Sequence, residues 1–516
     1  MAFWKSLSQR ILARATWVAL LLSLAGAAAS YLVATRIFEA VPHVEDEMAY
    51  VWQAKVLAHG QLTVPTPPDP ASLAVPFVVD ANGVRSAKYP PGWPMLLAFG
   101  ILLGARTWVN PLLSGLAVWL TFRLGQRLFG GGTGLLAALL TVFSPFFLIN
   151  SGSLDSHPWA LVLSLAFVLA WLELFPVQEQ PADGARHIPG WITVPLAGLG
   201  LGLLVLTRPL TAVGVGLPFF GWGLALLWRG STRVRVRVLA VGGLALAVGG
   251  LLFAWQAAVT GSPFKDPYTL WWSFDRLGFG PGVSDYPGGY SPAEAVSNAW
   301  IMLRAAARDL FGWGSFSWLL LPFGVWAAWK NRPAGRVALV FPSLVFVYLF
   351  YWAYVTRYGP RYYYEGLFCL TLLSAAGLVR LVRWLGKRPV AWAWQGLVTL
   401  GLLGLIGYNL ADYLPARLTS IYGLYGIHPA QMAPFLTSAA RQETPALVFV
   451  HEQKSWTDYA GLLELENPWL SSPFIFAVSS DPAGDARLAA AFPGRRILYY
   501  SPGQPTRLSN HPNRSN

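Results

Sequence analysis

The chain has 516 residues, of which 55% are hydrophobic and only 12% are charged, and its formal net charge is +13. Because soluble proteins are about 25% charged, this composition excludes an ordinary soluble domain and predicts a helical protein that crosses a membrane many times. The basic excess has a membrane explanation, since Lys and Arg collect in cytoplasmic loops, and no nucleic-acid partner is predicted. The single cysteine, Cys369, excludes an intramolecular disulfide and a cysteine-based metal site.

The first apolar run, residues 17–35, follows a short basic segment and is long enough to cross a bilayer. The basic start resembles a signal peptide, and residues 27–29 (Ala-Ala-Ala) resemble a cleavage site. Since the apolar run continues for the length of a membrane span, we interpret it as an uncleaved first helix with the N-terminus in the cytoplasm.

Three consecutive acids, Glu45, Asp46 and Glu47, follow this helix in a first outer loop, residues 36–90. They precede an amphipathic helix predicted over residues 50–59. A carboxylate at a membrane face can accept a proton from a hydroxyl, so Asp46 is a candidate general base, with Glu47 as a second candidate catalytic residue. The alternative is a solvated loop in which Asp46 only caps the next helix.

Ten further apolar segments are predicted to cross the membrane. They are residues 108–122, 133–149, 158–175, 191–206, 210–228, 238–259, 315–329, 337–354, 363–382 and 390–410. The basic loops 229–237, 330–336 and 380–388 should be cytoplasmic. This orientation holds if the short, proline-containing segment 90–105 does not cross. The prediction is eleven to twelve helices in the plasma (inner) membrane, with the C-terminus outside.

This topology collects polar residues from distant parts of the chain on the extracytoplasmic face. One acid with several bases suits transfer from a phosphate-linked donor, because the acid accepts the proton of the acceptor and the bases neutralise the departing phosphate. The candidates for binding the donor phosphate are Lys88, Arg208, Arg357 and Arg361. The candidates for binding the sugar or the acceptor are Asp155, His157, Tyr362, Tyr363 and Glu365.

Each candidate also has a purely structural explanation. Lys88 would extend to the interface, and Arg208 would cap a break between two helices. Asp155 would cap the following helix, and Arg361 would pair with Glu365 four residues later. The tyrosines at 362–364 would form an interfacial aromatic belt. No cofactor is predicted with certainty. His157, Asp155 and Asp46 could form a site for a divalent metal, but no ligand spacing indicates one.

The composition changes after residue 410. Residues 446–450, 473–477 and 496–500 are predicted to be short buried strands, and residues 481–491 a helix. We therefore predict a small soluble extracytoplasmic α/β domain over residues 411–516, which follows a transmembrane catalytic domain over residues 1–410.

Several short motifs, in this order, carry a resemblance to a known family. The Asp46-Glu47 pair after a first transmembrane helix resembles the acidic motif of membrane glycosyltransferases with the GT-C fold, of the protein O-mannosyltransferase and aminoarabinose transferase type. Residues 88–92 (Lys-Tyr-Pro-Pro-Gly) look like the Lys-Pro-Pro segment that follows. Asp155 and residues 206–209 (Leu-Thr-Arg-Pro) fall where this family places an Asp and a Lys/Arg-Pro.

The resemblance implies an inverting glycosyltransferase that takes its sugar from a polyprenyl-phosphate donor, with Asp46 as the catalytic base. The acceptor would be a hydroxyl of a glycan, lipid or protein. Two other functions stay open. A transporter or flippase of lipid-linked glycan should show structural repeats and broken helices near the midplane. A non-catalytic cell-envelope assembly protein would use the C-terminal domain as its binding module.

Overall fold

A computed structural model describes residues 14–176, 189–451, 455–479 and 481–502. The basic segment before residue 14, which was predicted to be cytoplasmic, lies outside them. Among the described residues, seven helices are long and apolar enough to cross a membrane, or up to nine if each of two bent pairs is one span. This confirms the predicted polytopic helical fold, and the predicted first span corresponds to the helix Ala15–Arg36.

Twelve α-helices lie within the described residues up to 271. In chain order they are α1 (Ala15–Arg36), α2 (Glu45–Ala58), α3 (Gly92–Leu102), α4 (Val109–Phe129), α5 (Gly131–Val142), α6 (Pro145–Gly152), α7 (His157–Leu174), α8 (Gly190–Thr207), α9 (Pro209–Arg229), α10 (Thr232–Gly249), α11 (Leu251–Thr260) and α12 (Tyr268–Trp271).

The remaining helices complete the membrane part and continue into the C-terminal part. They are α13 (Pro292–Asp309), α14 (Leu321–Trp329), α15 (Arg332–Ala338), α16 (Val340–Tyr348), α17 (Leu367–Leu385), α18 (Ala391–Tyr408), α19 (Leu414–Thr419), α20 (Ser438–Gln442) and α21 (Pro482–Ala491).

Four predicted spans are not single membrane-crossing helices in the part of the chain that the structure describes. The segment 133–149 is broken between α5 and α6, which are bent by 61°, and the segment 315–329 belongs to a pair of helices bent by 95°. Helix α4 contains residues 109–122 of the segment 108–122 but is not among the seven apolar helices, and its C-terminal part carries Arg123 and Arg127. The segment 337–354 contains only α16 and the end of α15, because the helix breaks at Leu339. The doubtful segment 90–105 forms α3, whose 11 residues extend about 17 Å, short of the roughly 30 Å hydrocarbon core.

Two small sheets flank the helices. The first outer loop contains an antiparallel sheet of β1 (Val64–Pro65), β2 (Val78–Ala81) and β3 (Val84–Ala87), in the order β1-β3-β2, which the sequence analysis did not predict. The C-terminal part contains β4 (Ala446–Val450), β5 (Phe474–Val478) and β6 (Arg496–Tyr500) as a parallel sheet in the order β5-β4-β6. The three predicted strands and the predicted helix there are confirmed to within one residue.

The C-terminal part packs directly on the first loop. Lys55 of α2 donates to the carbonyl of Glu466 at 2.8 Å, and Arg106 pairs with Glu464 at 2.9 Å. The amide of Val478, at the end of β5, donates to the carbonyl of Ser72 at 2.7 Å. These contacts hold the C-terminal sheet against α2, whose first turn carries the three consecutive acids.

Close helix crossings in the bundle depend on small residues. At the crossing of α14 and α17, a Cβ atom at Gly377 would overlap the carbonyl oxygen of Leu320, and one at Gly324 would overlap that of Leu373. Backbones this close leave room only for the hydrogen atom of a glycine side chain, and small residues are usual where membrane helices pack closely.

The Gly377→Val variant is expected to unfold about 5 °C below wild type, because overpacking a well-packed contact costs roughly 1–3 kcal/mol. Gly404→Val is the matched control, since Gly404 lies on α18 and its Cβ position has no neighbouring atom within 4 Å. Thermal unfolding in detergent would measure both. Equal unfolding temperatures for the two variants would contradict the close crossing.

Candidate active site

The three consecutive acids form the first turn of α2, because this helix begins at Glu45 rather than at the predicted residue 50. The N-cap is Val44, which makes no side-chain capping bond. The interpretation of Asp46 as a solvated helix cap is therefore wrong. The first turn of a helix favours negative charge because of the helix dipole.

The Asp46 carboxylate is held by two donors from distant parts of the chain. The Tyr89 hydroxyl donates to Oδ1 at 2.7 Å, and Nη2 of Arg361 donates to Oδ2 at 3.0 Å. Burial alone would raise the pKa of Asp46, but Arg361, Tyr89 and Lys88 together hold this pKa below its ordinary value. Asp46 is thus a carboxylate at neutral pH and is able to accept a proton.

Arg361 connects Asp46 to a second acid. Its Nη1 donates to Oδ2 of Asp155 at 2.6 Å, so one guanidinium bridges two carboxylates. Burial raises the pKa of Asp155 despite this contact. The helix α7 is preceded by Ser156 as its N-cap. The structural explanations of Asp155 as a helix cap and of Arg361 as the partner of Glu365 are therefore wrong.

Glu47 is buried and faces away from Asp46. Its Oε2 accepts from the backbone amide of His43 at 2.7 Å, and its Oε1 accepts from that of Leu154 at 2.8 Å. Burial and the nearby Asp155 raise its pKa to about 7. Glu47 therefore joins the loop before α2 to the loop that carries Asp155.

Arg208 lies at the break between α8 and α9, as its structural explanation required. Its guanidinium reaches further, to the hydroxyl of Ser156 at 3.1 Å and to Oε1 of Glu365 at 3.5 Å. The same Oε1 lies 3.0 Å from Nδ1 of His157. Glu365 thus joins His157 and Arg208, and Arg208 also reaches the hydroxyl of Tyr348 at 3.3 Å.

Lys88 is buried, so its explanation as a side chain extending to the interface is wrong. Its Nζ pairs with Oδ2 of Asp275 at 3.3 Å. The same atom lies 3.6 Å from the ring centroid of Phe77 and 4.7 Å from that of Trp272. Burial lowers the pKa of Lys88, while Asp275 and Asp46 oppose that shift.

Asp275 is a site residue that the sequence analysis missed. Besides Lys88, it accepts at Oδ1 from the hydroxyl of Tyr351 and from the indole of Trp352, both at 3.1 Å. It lies in the long loop between α11 and α13, where no motif distinguishes it from the other acids. Only the folding of this loop over Lys88 identifies it.

Two chambers meet at Asp46. The first, of about 140 Å³, contains Arg208 and is called the Arg208 chamber. The second, of about 410 Å³, contains Lys88, Arg357 and Arg361 and is called the Arg357 chamber. Four side chains line both chambers: Asp46, Tyr89, Tyr351 and Tyr362. Asp46 therefore stands on the wall between two spaces that could each hold a reactant.

The remaining predicted residues lie in different places relative to the two chambers. The Tyr362 ring stacks on Tyr348, with centroids 4.9 Å apart, and lines both chambers. Tyr363 is buried against Phe341, outside both. Arg357 is exposed at the mouth of its chamber, with its guanidinium 5.6 Å from the ring centroid of Tyr425. The structure does not bring Arg357 together with Arg208.

Within the described ranges, no group of three or more His, Cys, Asp or Glu side chains is arranged to hold a metal ion.

The middle of the membrane part resembles a known protein family in sequence. The chain matches the family described as "Oligosaccharyl transferase STT3, N-terminal" over residues 94–207. This segment runs from α3 to the end of α8. No curated protein matches the chain in sequence.

Solved structures of similar fold cover nearly all of the chain. ArnT from Cupriavidus metallidurans in the apo state superposes with a TM-score of 0.60 and 13% identity, over 95% of this chain and 93% of ArnT. The same protein bound to undecaprenyl phosphate gives 0.57 and 13%, over 93% and 92%. The apo oligosaccharyltransferase of Archaeoglobus fulgidus gives 0.53 and 14%. That match covers 90% of this chain and only 65% of the oligosaccharyltransferase.

At these identities the similarity establishes the fold. The chain has the GT-C fold of polytopic membrane glycosyltransferases, as the sequence predicted. It spans about two thirds of the archaeal oligosaccharyltransferase but almost the full length of ArnT.

Proposed function

We propose that the protein is an inverting glycosyltransferase that moves a sugar from a polyprenyl-phosphate donor to a hydroxyl of an acceptor at the extracytoplasmic membrane face. The observation that carries this proposal is the position of Asp46, an ionised carboxylate on the wall shared by two chambers. A base between donor and acceptor can take the proton of the attacking hydroxyl as the sugar transfers.

Asp46 has the lone pairs that this role requires. Tyr89 and Arg361 each occupy one acceptor position, and a carboxylate offers about four. An acceptor hydroxyl entering from the Arg357 chamber would donate to a free position. Attack on the face of the sugar opposite the phosphate then inverts the anomeric centre.

The Arg208 chamber is the proposed site of the donor phosphate. The Arg208 guanidinium is oriented by Glu365 and Tyr348, so this side chain is already ordered when the donor arrives. Arg208 would bind phosphate oxygens and stabilise the charge that grows on them as the sugar leaves. Arg361 and Lys88 line the Arg357 chamber but supply positive charge close to the donor phosphate, because Arg361 contacts Asp46 on the shared wall and Lys88 pairs with Asp275, which lines the Arg208 chamber.

The Arg357 chamber is the proposed acceptor site. Aromatic side chains line it, which suits the apolar face of a sugar ring: Phe77, Trp272, Tyr286, Trp352, Tyr354, Tyr358 and Tyr425. Arg357 was predicted to bind the donor phosphate. In this proposal it binds the acceptor instead, because it lies at the mouth of the Arg357 chamber. Tyr362, on the shared wall, would contact the transferred sugar.

Four predicted site residues receive positioning roles in this proposal. Asp155 is the second counterion of Arg361, and Glu47 anchors the loop of Asp155 through backbone amides. His157 and Glu365 orient Arg208. Tyr363 packs outside both chambers and receives no role in binding. A divalent metal is not required by any of these steps.

Similar proteins support a lipid-phosphate donor. One ArnT structure contains undecaprenyl phosphate, and an Archaeoglobus fulgidus AglB structure with a TM-score of 0.52, at 15% identity over 92% of this chain and 69% of AglB, contains dolichol-phosphate and an inhibitory peptide. A polyprenyl-phosphate sugar is therefore the donor class that we propose for this chain. The acceptor stays a glycan, a lipid or a protein.

The distribution of basic residues supports the proposed orientation in the inner membrane. Helix α9 begins beside Arg208 and ends at Arg229, 21 residues later, so the basic loop 229–237 lies about 30 Å from the site. Helix α17 likewise leads from the site to the basic segment 380–388. Since basic loops are cytoplasmic, the site and the C-terminal α/β domain would be extracytoplasmic and the N-terminus cytoplasmic.

The test is turnover of a panel of short-chain polyprenyl-phosphate sugars by purified protein in lipid nanodiscs. Release of polyprenyl phosphate that depends on an added acceptor, with inversion at the transferred sugar, is the expected result. Movement of an unchanged lipid-linked sugar across vesicles, without release, would favour a flippase instead. Absence of both binding and turnover across the panel would contradict the proposal.

A further inference from the structure

An ion pair between the buried Asp309 and the half-buried Arg417 lies beside the turn that leads to Arg361. Asp309 ends α13 and is buried, and its Oδ1 accepts from Nε of Arg417 at 3.2 Å and from the Tyr413 hydroxyl at 2.6 Å. Arg417 belongs to α19, just after the last membrane helix. Because a buried carboxylate needs partners, Asp309 fixes where the Arg417 guanidinium sits.

The guanidinium of Arg417 also reaches the backbone of the turn. Its Nη2 donates to the carbonyl of Arg357 at 2.5 Å and lies 3.4 Å from the carbonyl of Thr356. An arginine offers five N–H donors in a rigid fork, so one side chain can hold an acid and a backbone segment together. Arg417 thus connects the C-terminal part to the segment that leads to Arg361.

The turn between Arg357 and Arg361 is tightly enclosed. Gly359 adopts φ +78°, and a Cβ there would lie 2.7 Å from the ring of Phe146 and 3.0 Å from Oδ2 of Asp309. The amide of Arg361 donates to the carbonyl of Gly359 at 2.8 Å. A shift of the turn away from Asp309 would therefore displace the Arg361 backbone directly.

The membrane part holds the same turn from the opposite side. The amide side chain of Asn150, on α6, donates to the carbonyl of Tyr358 at 2.8 Å. The turn is thus held at Tyr358 by the membrane helices and at Arg357 by Arg417. Without Arg417, the turn would keep the contacts of Tyr358 with Asn150 and Glu47 but would lose the hydrogen bond that holds the Arg357 carbonyl.

We propose that Arg417, oriented by Asp309, is a positioning residue for Arg361 and, through it, for the general base Asp46. This inference rests on the proposed function, since it treats Arg361 as part of the transferase site. A displacement of about 1 Å at a reacting group can lower a rate about 10²-fold. The C-terminal part would therefore contribute to catalysis through a defined contact.

The test compares Arg417→Ala with Arg441→Ala, a matched control at an exposed arginine of the C-terminal part. Arg417→Ala is expected to lower kcat by about 10- to 100-fold with donor affinity unchanged. Added methylguanidine should restore part of this loss, and Arg417→Lys should be intermediate because it lacks the fork. Hydrogen exchange at residues 356–365 should accelerate in Arg417→Ala and stay at the wild-type rate in Arg441→Ala.

The exchange measurement separates this inference from the proposed function. If wild type transfers no sugar, the proposed function fails, while exchange at residues 356–365 still reports whether Arg417 holds the turn. Unchanged exchange in Arg417→Ala would overturn the inference. A loss of kcat that matches the unfolded fraction and does not respond to methylguanidine would also overturn it, since a general stability role predicts that result.

Discussion

Asp46→Asn is expected to lower kcat for sugar transfer by about 10³-fold, within the range that general-base catalysis contributes, while the donor still binds. The substitution preserves size but removes the charge that accepts the proton. Arg361 keeps its contact with Asp155, so the site should stay assembled. Single-turnover release of polyprenyl phosphate, with donor binding measured separately by calorimetry, would separate chemistry from affinity.

Glu47→Gln is the matched control for this experiment. It makes the same carboxyl-to-amide change one residue further along the helix, but Glu47 lines neither chamber and bonds to two backbone amides. A Gln amide group would leave one of those amides unsatisfied, at a cost of about 1–3 kcal/mol. Glu47→Gln should therefore lower the unfolding temperature and retain most of its activity. Full transfer activity in folded Asp46→Asn would reject Asp46 as the base.

Arg208→Gln is expected to weaken donor binding by about 10- to 100-fold, because it removes charge-assisted hydrogen bonds to phosphate worth roughly 1.5–3 kcal/mol. Arg357→Gln should instead raise KM for the acceptor and leave donor affinity unchanged, since Arg357 lies in the other chamber. Direct binding of polyprenyl phosphate and acceptor titrations under saturating donor would measure the two effects.

The pair of variants tests which chamber holds which reactant. Arg208 also neutralises the buried Glu365, so Arg208→Lys and thermal unfolding are needed to show that the variant is folded. If Arg357→Gln weakens donor binding as strongly as Arg208→Gln, the two chambers do not divide donor and acceptor in this way.

Much of the architecture follows from local properties of the sequence. Apolar runs of membrane length identify the helices α1, α7, α8, α9 and α17, because a bilayer requires satisfied backbone bonds over about 20 residues. After residue 410, short apolar segments rich in strand-forming residues identified the C-terminal strands in the same way. The acidic triplet after the first helix, in a chain so poor in charge, identified Asp46 and Glu47 as candidates, and the family resemblance favoured Asp46 as the base.

The structure changed the roles of residues within the predicted set. Neighbours in sequence separated: Asp46 faces both chambers, whereas Glu47 turns inward to backbone amides. Likewise Tyr362 lines the site and Tyr363 does not. In a helix, consecutive side chains point about 100° apart, so a motif that names both residues cannot say which one faces the substrate until the helix is packed.

Only the tertiary structure reveals the contacts of Asp275 with Lys88, of Tyr89 with Asp46 and of Arg417 with Asp309. Asp275 meets Lys88 from 187 residues away, and Arg417 meets Asp309 from 108. Composition and periodicity indicate which segments enter the membrane, because entry depends on the free energy of transferring that segment alone from water into the bilayer. Which side chains then meet depends on how the helices and loops pack, and that is a property of the whole chain rather than of any motif in it.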